Sequence, residues 1–336
     1  MKKIKVKFVG MGNGYNERNN IFVNVLKEHY DLIYEENEPD YIICSMSGRP
    51  YEYLNYDGIR IFYSGENVSP DFNYVDYAIG FDKMVYGDRF CRNPKILGVG
   101  SKEQLVALTN REKFTVDDLK DKSYFCNFIY SHDRDDYKRK AIFDLLNTYK
   151  RVDSLGTYLN NMQDGFCVSM KEKVQIQKKY KFTIAFDSVD LDGFVTEKIA
   201  DGFIARTIPI YMGNPTIFEI YNKNAFINCS DYDSLDDVLK KVIYLDQNDE
   251  EYIRMLNEPV YAKEFEPKNL FENFETFINN IFGQPYRHAF RRCFGPSKDV
   301  NGVLWQYEKH LKFYNSIYDN LWVRLLRKIK KRHGKI

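Results

Sequence analysis

The sequence predicts an α/β protein of two successive domains, each a parallel sheet wrapped by helices, and three observations predict it. The chain has 336 residues, more than one ordinary core and enough for two domains of about 150 residues each. Short β-rich runs alternate with helix-like segments rather than with hairpin turns, the rhythm of a parallel sheet. That rhythm stops at the polar stretch TNREKFTVDDLKDK (109–122) and then begins again.

In the first half, residues 4–9 read as a strand, followed by the glycine-rich GMGNG and a helix over 19–29. Further strands are expected at 41–46, 59–64 and 75–81. After the linker come a strand at 124–130, a helix over 135–149 and the segment RVDSLG. A helix over 168–179 then leads to the strand KFTIAF, a polar loop, a helix starting at Glu197 and the strand TIPIYMG. The expected domains are 1–115 and 123–285, with a helical region over 286–336. Two such domains leave a cleft in which the carboxyl ends of their strands meet a ligand.

Composition narrows the function. With 44% hydrophobic and 16% aromatic residues the chain is neither disordered nor collagen-like. Lys and Arg (49) nearly balance Asp and Glu (48), so nucleic acid is not an expected partner. Seven of the cations and none of the acids lie in 321–336, leaving 42 basic against 48 acidic residues elsewhere. The six cysteines show no C-x-x-C or metal spacing and read as reduced thiols. The opening MKKIKVKFVGMGNGY is too interrupted by lysines for a signal-peptide core, and no run reaches about 18 apolar residues. A cytoplasmic location is expected.

Five motifs are candidates for chemistry. GMGNG follows a strand as a dinucleotide fingerprint would, but G-x-G-x-x-G needs a glycine where Tyr15 stands, so a tight strand-to-helix turn is the plainer reading. In DSVDLDG, Asp187, Asp190 and Asp192 supply hard oxygen ligands of the D-x-D type; loops between strand and helix are also commonly rich in Asp. In GFVTEKIADGF, Thr196 can cap a helix whose first turn holds Glu197 and Lys198. A cation at a helix N-terminus is unfavourable unless an anion sits there, which suggests a phosphate site. In DRDDYKRK, one of Arg134, Lys138, Arg139 and Lys140 could reach a phosphate, although such charges usually form a solvated face. Finally, Glu66 stands at the end of a strand between Gly65 and Asn67, where partial burial would raise its pKa toward that of a base; the bland alternative is a surface turn.

The stretches YSGENVSPDFNYVDYAIGFD and KFTIAFDSVDLDGFVTEKIADGFIARTIPIYMGNP, in this order and about a hundred residues apart, resemble the two signature regions of the bacterial α-1,3/4-fucosyltransferases, glycosyltransferase family 10. The resemblance is strongest over 61–82 and 181–215 and looser over 20–280. It implies the GT-B architecture: two Rossmann-like domains facing a central cleft, the first binding the acceptor and the second GDP-fucose. It places the general base at Glu66, with Ser64 and Asn67 as acceptor-side neighbours, and the diphosphate-binding arginine at Arg139. Donor contacts fall on Ser188, Phe194, Thr196, Glu197 and Lys198, with Glu197 on sugar hydroxyls and Lys198 on phosphates. The sequence departs from the family at Asp187-Ser188, where F-E-N is usual, and at Phe194, where a Tyr is usual.

The resemblance implies an inverting transfer of L-fucose from GDP-β-L-fucose to an N-acetylglucosamine- or glucose-containing glycan in α-1,3 or α-1,4 linkage. The acceptor would be lipopolysaccharide or another cell-surface glycan. No metal or other cofactor is expected to be essential, since Arg139, Lys198 and a helix N-terminus can carry the diphosphate charge. Alternatives are a transferase using another GDP-deoxy sugar, a non-catalytic nucleotide-sugar-binding protein and, more remotely, a nicotinamide dehydrogenase. In the tail, Leu311, Tyr314, Tyr318, Leu321, Trp322, Leu325 and Ile329 form a helical stripe opposite cations. This predicts an amphipathic tail over 311–336 attached to an anionic membrane, the inner face of the cytoplasmic membrane, or else docked on the protein's own surface. Homodimerisation is left open.

Overall fold

The computed structural model describes residues 1–12, 14–93, 102–132, 138–169, 172–292, 301–318 and 320–333, and the side chains of all of these except 301–305 and 330–333. Arg134 lies outside the described residues. The strands are β1 (Lys2–Val9), β2 (Tyr30–Tyr34), β3 (Tyr41–Cys44), β4 (Ile59–Tyr63), β5 (Tyr77–Gly80), β6 (Phe90–Arg92), β7 (Tyr124–Phe128), β8 (Val152–Ser154), β9 (Tyr180–Phe186), β10 (Ile208–Met212) and β11 (Ile227–Asn228). The helices are α1 (Ile21–Leu26), α2 (Lys102–Ala107), α3 (Lys138–Asn147), α4 (Lys173–Gln177), α5 (Glu197–Ile204), α6 (Leu235–Gln247), α7 (Asp249–Leu256), α8 (Pro267–Gly283), α9 (Tyr286–Ala289), α10 (Asn301–Ser316) and α11 (Leu321–His333).

The chain forms two compact units, one of residues 1–80, 84–92 and 273–336 and the other of residues 81–83 and 93–272. The polar stretch 109–122 therefore falls inside the second unit, and residues 286–336 belong to the first rather than standing apart. These bounds differ from the expected 1–115, 123–285 and 286–336. A linear reading misses the return because the apolar face of α8 carries no label saying which core it will enter.

The first unit holds a sheet in the order β2-β1-β3-β4-β5-β6, with every ladder parallel. All of β3 (YIIC) is buried, as expected of a strand covered on both faces. Asn20 caps α1, its Oδ1 accepting from the N–H groups of Phe22 and Val23 at 3.0 and 3.1 Å. From α8, Phe274 meets Phe22 edge-on at 5.3 Å and Phe282 stacks on Tyr41 at 4.2 Å. The following segment is tied down by a buried carboxylate. Asp76 accepts from the backbone N–H groups of Arg291 and Arg292 (both 2.9 Å), from that of Arg60 (2.8 Å), and pairs with the Arg292 guanidinium at 2.8 Å.

The expected tail stripe divides in two. Leu311 of α10 packs on a core cluster that includes Val9, Tyr53 and Phe62, and Glu308 pairs with the buried Arg60 at 3.7 Å. In α11, by contrast, Leu321, Trp322, Leu325, Leu326 and Ile329 are exposed. Between the helices Asn320 starts α11 by accepting from Trp322 N at 3.0 Å, and Arg327 lies over the Tyr318 ring at 3.5 Å. Among the described residues no helix is long and apolar enough to cross a membrane.

The second unit holds a parallel sheet in the order β11-β10-β9-β7-β8. Its strand order reverses between β7 and β9, the place at which open α/β sheets present a crevice at the strand carboxyl ends. The core runs through Phe128, Ile142, Phe182, Ile184, Ile210 and Val242.

Candidate active site

At the reversal point of the second sheet, the end of β7 is knotted to the end of β9. Phe186 N donates to the Tyr130 hydroxyl at 2.6 Å, and that hydroxyl reaches the Ile184 and Phe186 carbonyls at 3.1 and 3.2 Å. On this knot lies Arg139, from the first turn of α3. Its guanidinium stacks over Tyr130 at 4.3 Å and donates to His132 O (3.1 Å) and Phe186 O (3.3 Å). Only 4% of Arg139 is exposed, unlike its neighbours Lys138 and Lys140, which face solvent and pair with Asp190 and Asp144. Of the described members of the expected basic cluster, Arg139 is thus the one built into the reversal point.

The residue after β9 is Asp187, 3% exposed, which accepts from the Thr196 hydroxyl and, at 2.8 Å, from the Tyr211 hydroxyl. Burial pushes its carboxyl up to about 6, against the opposing pull of the Lys198 charge and the two hydroxyls. Lys198 Nζ donates to Thr196 Oγ1 (3.1 Å) and Glu197 Oε1 (3.2 Å), so Lys198, Thr196 and Asp187 form a chain. Thr196 does stand at the N-cap of α5 in extended conformation, but its hydroxyl makes no capping bond. Its proton goes to the buried carboxylate and its oxygen accepts from the Lys198 ammonium instead of from an α5 N–H group. Lys198 and Glu197 are half-buried in the first turn of α5.

The remaining donor-side candidates sit close by. Ser188 is half-buried directly after Asp187. Phe194 is 2% exposed, and its ring meets Phe81 edge-on at 5.3 Å, so the aromatic side chain that replaces the family's tyrosine fills a packed position. The three aspartates of DSVDLDG go to different partners: Asp187 to Thr196 and Tyr211, Asp190 to Lys138 at 2.5 Å, and Asp192 to Lys83 at 2.9 Å. Among the described residues no group of three or more His, Cys, Asp and Glu side chains could hold a metal ion.

In the first unit the carboxyl ends of β1, β3 and β4 carry the other candidates. Gly10 adopts φ +66°, and a Cβ there would lie 2.6 Å from both Ser45 O and Ser47 O, so GMGNG opens with a turn that only glycine fits. After β4, Ser64 is buried; its hydroxyl donates to Glu66 O at 3.0 Å and accepts from Glu66 N at 3.1 Å. Ser64 thereby sets the backbone that presents Glu66 and Asn67, both of which are exposed. The partial burial expected for Glu66 is absent in this unit.

Sequence reasoning missed Tyr130, Tyr211 and Asn214, and gave Asp187 no role beside Thr196. Asn214 Oδ1 accepts from Gly193 N (3.1 Å) and Thr216 N (3.0 Å), and Asn214 N donates to the Tyr211 hydroxyl at 2.8 Å. The available signal was a tyrosine inside the buried strand IPIYM followed by GNP, since a buried phenol needs a partner.

The chain matches two family models: "Alpha-(1,3)-fucosyltransferase FucT N-terminal domain" over residues 6–97 and "Glycosyltransferase family 10 (fucosyltransferase) C-term" over residues 119–277. It is 29% identical over 296 residues to the alpha-(1,3)-fucosyltransferase FucT of Helicobacter pylori, covering 79% of this chain and 59% of that one. It is 29% identical over 128 residues to GDP-fucose protein O-fucosyltransferase 3 of Gallus gallus, covering 36% of this chain and 26% of that one. The chain therefore spans less than two thirds of either curated relative, 59% of the first and 26% of the second. Among solved structures it resembles an alpha1,3-fucosyltransferase crystallised with GDP, at TM-score 0.64 and 25% identity over 83% of this chain and 91% of that chain. A crystal structure described simply as alpha1,3-fucosyltransferase gives a TM-score of 0.65 at the same identity and coverage. Two parallel-sheet α/β units of GT-B type, together with these matches across both, establish that the chain belongs to glycosyltransferase family 10.

Proposed function

We propose that the protein is an inverting fucosyltransferase that moves L-fucose from GDP-β-L-fucose to a hydroxyl of an N-acetylglucosamine- or glucose-containing glycan. The observation that carries this reading is the convergence of Arg139 and the Thr196-Glu197-Lys198 segment on the reversal point of the second sheet. A guanidinium, an ammonium and the positive end of α5 suit a diphosphate. As the bond from fucose to GDP lengthens, negative charge grows on the diphosphate, and these fixed groups stabilise it without reorganising. The cations belong to the chain, so the reaction proposed here needs no divalent ion. Glu197 would hold fucose hydroxyls.

Glu66 would act as the general base, taking the proton of the acceptor hydroxyl as that oxygen attacks the anomeric carbon opposite the leaving GDP. Such assistance contributes about 10²- to 10⁴-fold in rate. Ser64 supports the assignment by holding the Glu66 backbone on both sides. The reading also includes linkage to the 3- or 4-position and an acceptor on lipopolysaccharide or another cell-surface glycan. Attachment to the inner face of the cytoplasmic membrane would use the apolar face of α11. A second reading, transfer of a different GDP-deoxy sugar, is favoured by the short Ser188 side chain in place of the family's asparagine.

Thermal denaturation against a panel of nucleotide sugars tests the proposal, since a ligand of the folded state at 100 times its dissociation constant adds about 2.7 kcal/mol. GDP-fucose is expected to raise the melting temperature, and UDP- and dTDP-sugars to leave it unchanged. Stronger stabilisation by another GDP-sugar would favour the second reading. No shift with any GDP compound would refute both.

A further inference from the structure

Residues Phe81–Lys83 follow β5 in sequence yet belong to the compact second unit. There the Lys83 ammonium donates to Glu219 Oε1 at 2.6 Å and Thr216 Oγ1 at 2.8 Å, and pairs with Asp192 Oδ1 at 2.9 Å. An ammonium has three N–H donors and no acceptor, so three oxygens around one nitrogen match its full capacity. The same oxygens are linked to one another: the Thr216 hydroxyl donates to Asp192 Oδ1 at 2.5 Å and contacts Asn214 Oδ1 at 3.0 Å. Asn214 Oδ1 also accepts from Gly193 N. Two residues before Lys83, the Phe81 ring packs on Phe194.

These contacts grip one loop. Asp192, Gly193 and Phe194 lead directly into Thr196, Glu197 and Lys198, so whatever fixes the loop fixes where the first turn of α5 begins. Asp192 and Glu219 are both within hydrogen-bond reach of a single nitrogen, where two carboxylates without a cation would repel. We infer that Lys83 is a positioning residue for the donor site, a built-in cation that holds the Asp192–Phe194 loop against Thr216 and Glu219 as a divalent ion would in a metal-dependent transferase. The inference rests on the fucosyltransferase reading above for its consequence on the donor.

A structural role and a positioning role predict different outcomes. Asp192 and Glu219 are about half exposed, at 52% and 49% of their side chains, and such pairs add little to global stability. Removing the ammonium should therefore leave the melting temperature nearly unchanged while freeing the loop. The full-length protein with Lys83→Met and with Lys83→Arg would be compared by hydrogen exchange over residues 190–198, by calorimetry with GDP, and by kinetics with GDP-fucose and a glycan acceptor.

For Lys83→Met the expectation is exchange in 190–198 about tenfold faster, donor KM raised about tenfold and kcat within about threefold of wild type, tenfold being about 1.4 kcal/mol. Lys83→Arg should restore most of both losses, because a second cation can bridge the same oxygens. Unchanged exchange in Lys83→Met would overturn the clamp. Faster exchange with unchanged GDP affinity would overturn its role in donor binding. A wild-type protein that binds no GDP would bring down the fucosyltransferase reading, and the exchange comparison would then decide the clamp on its own.

Discussion

Glu66 and Asp187 show how differently two carboxylates of one chain can be placed. Glu66 is exposed on a turn whose backbone is held by Ser64. If it is the base, Glu66→Gln keeps the shape and removes the proton acceptor. Turnover should fall by about 10² or more, with GDP affinity by calorimetry unchanged; normal turnover would remove Glu66 from the mechanism. Asp187 is buried, and its carboxyl is pushed up from the ordinary 3.8 to about 6. Between those values the folded state binds more protons than the unfolded chain, so stability falls as pH rises through the window and then levels off. Asp187→Asn removes that titration. The stability difference between wild type and variant in urea unfolding should therefore shift against wild type by about 2 kcal/mol between pH 4 and 6.5. A pH-independent difference would show that Asp187 titrates alike in both states.

At the scale of elements, the strands were largely legible because parallel strands buried on both faces read as apolar runs. KFTIAF and IPIYM each became a strand close to the expected bounds. β2, with its alternating exposure, and the two- and three-residue strands β8 and β11 carry too little pattern to be seen. Of the expected helix over 168–179 the described residues hold Lys173–Gln177, and the one over 19–29 runs over Ile21–Leu26, its start set by the Asn20 cap. The segment that follows α9 is secured by polar contacts a sequence cannot display. Asp76, fully buried, serves the backbone of Arg60, Arg291 and Arg292 and the Arg292 guanidinium. Asp76→Ala would strand a buried cation and three N–H donors, with an expected loss of about 3–5 kcal/mol in denaturant unfolding. A loss below about 1 kcal/mol, the range of a surface pair, would mean that water replaces the carboxylate there.

At the scale of the whole molecule, the chain returns after Glu272 to the unit in which it began, and its last helix leaves an apolar face exposed. Because Leu311 and Glu308 of α10 contribute to that unit, a truncation meant to test membrane attachment should spare α10 and remove only 321–336. The shortened protein should fold with an unchanged melting temperature and move from the membrane pellet to the supernatant on fractionation. Each Lys or Arg near an anionic surface is worth about 1 kcal/mol, so vesicle binding by the intact protein should also weaken with salt. Continued sedimentation of the truncated protein with membranes would rule out α11 as the anchor.

By itself the sequence determined the α/β class, the two-part organisation and the residues that mark family 10, since each depends on local pattern: apolar runs, glycines where the chain must turn, and short motifs at set spacing. Only the tertiary structure decided that Thr196 gives its hydroxyl to Asp187 instead of capping α5, that Arg139 rather than Lys138 or Lys140 enters the reversal point, and that Lys83 lies among the oxygens of Asp192, Thr216 and Glu219. In the Lys83 contacts residues more than a hundred positions apart meet. Which donor finds which acceptor depends on burial and distance, quantities that exist only once the chain has folded.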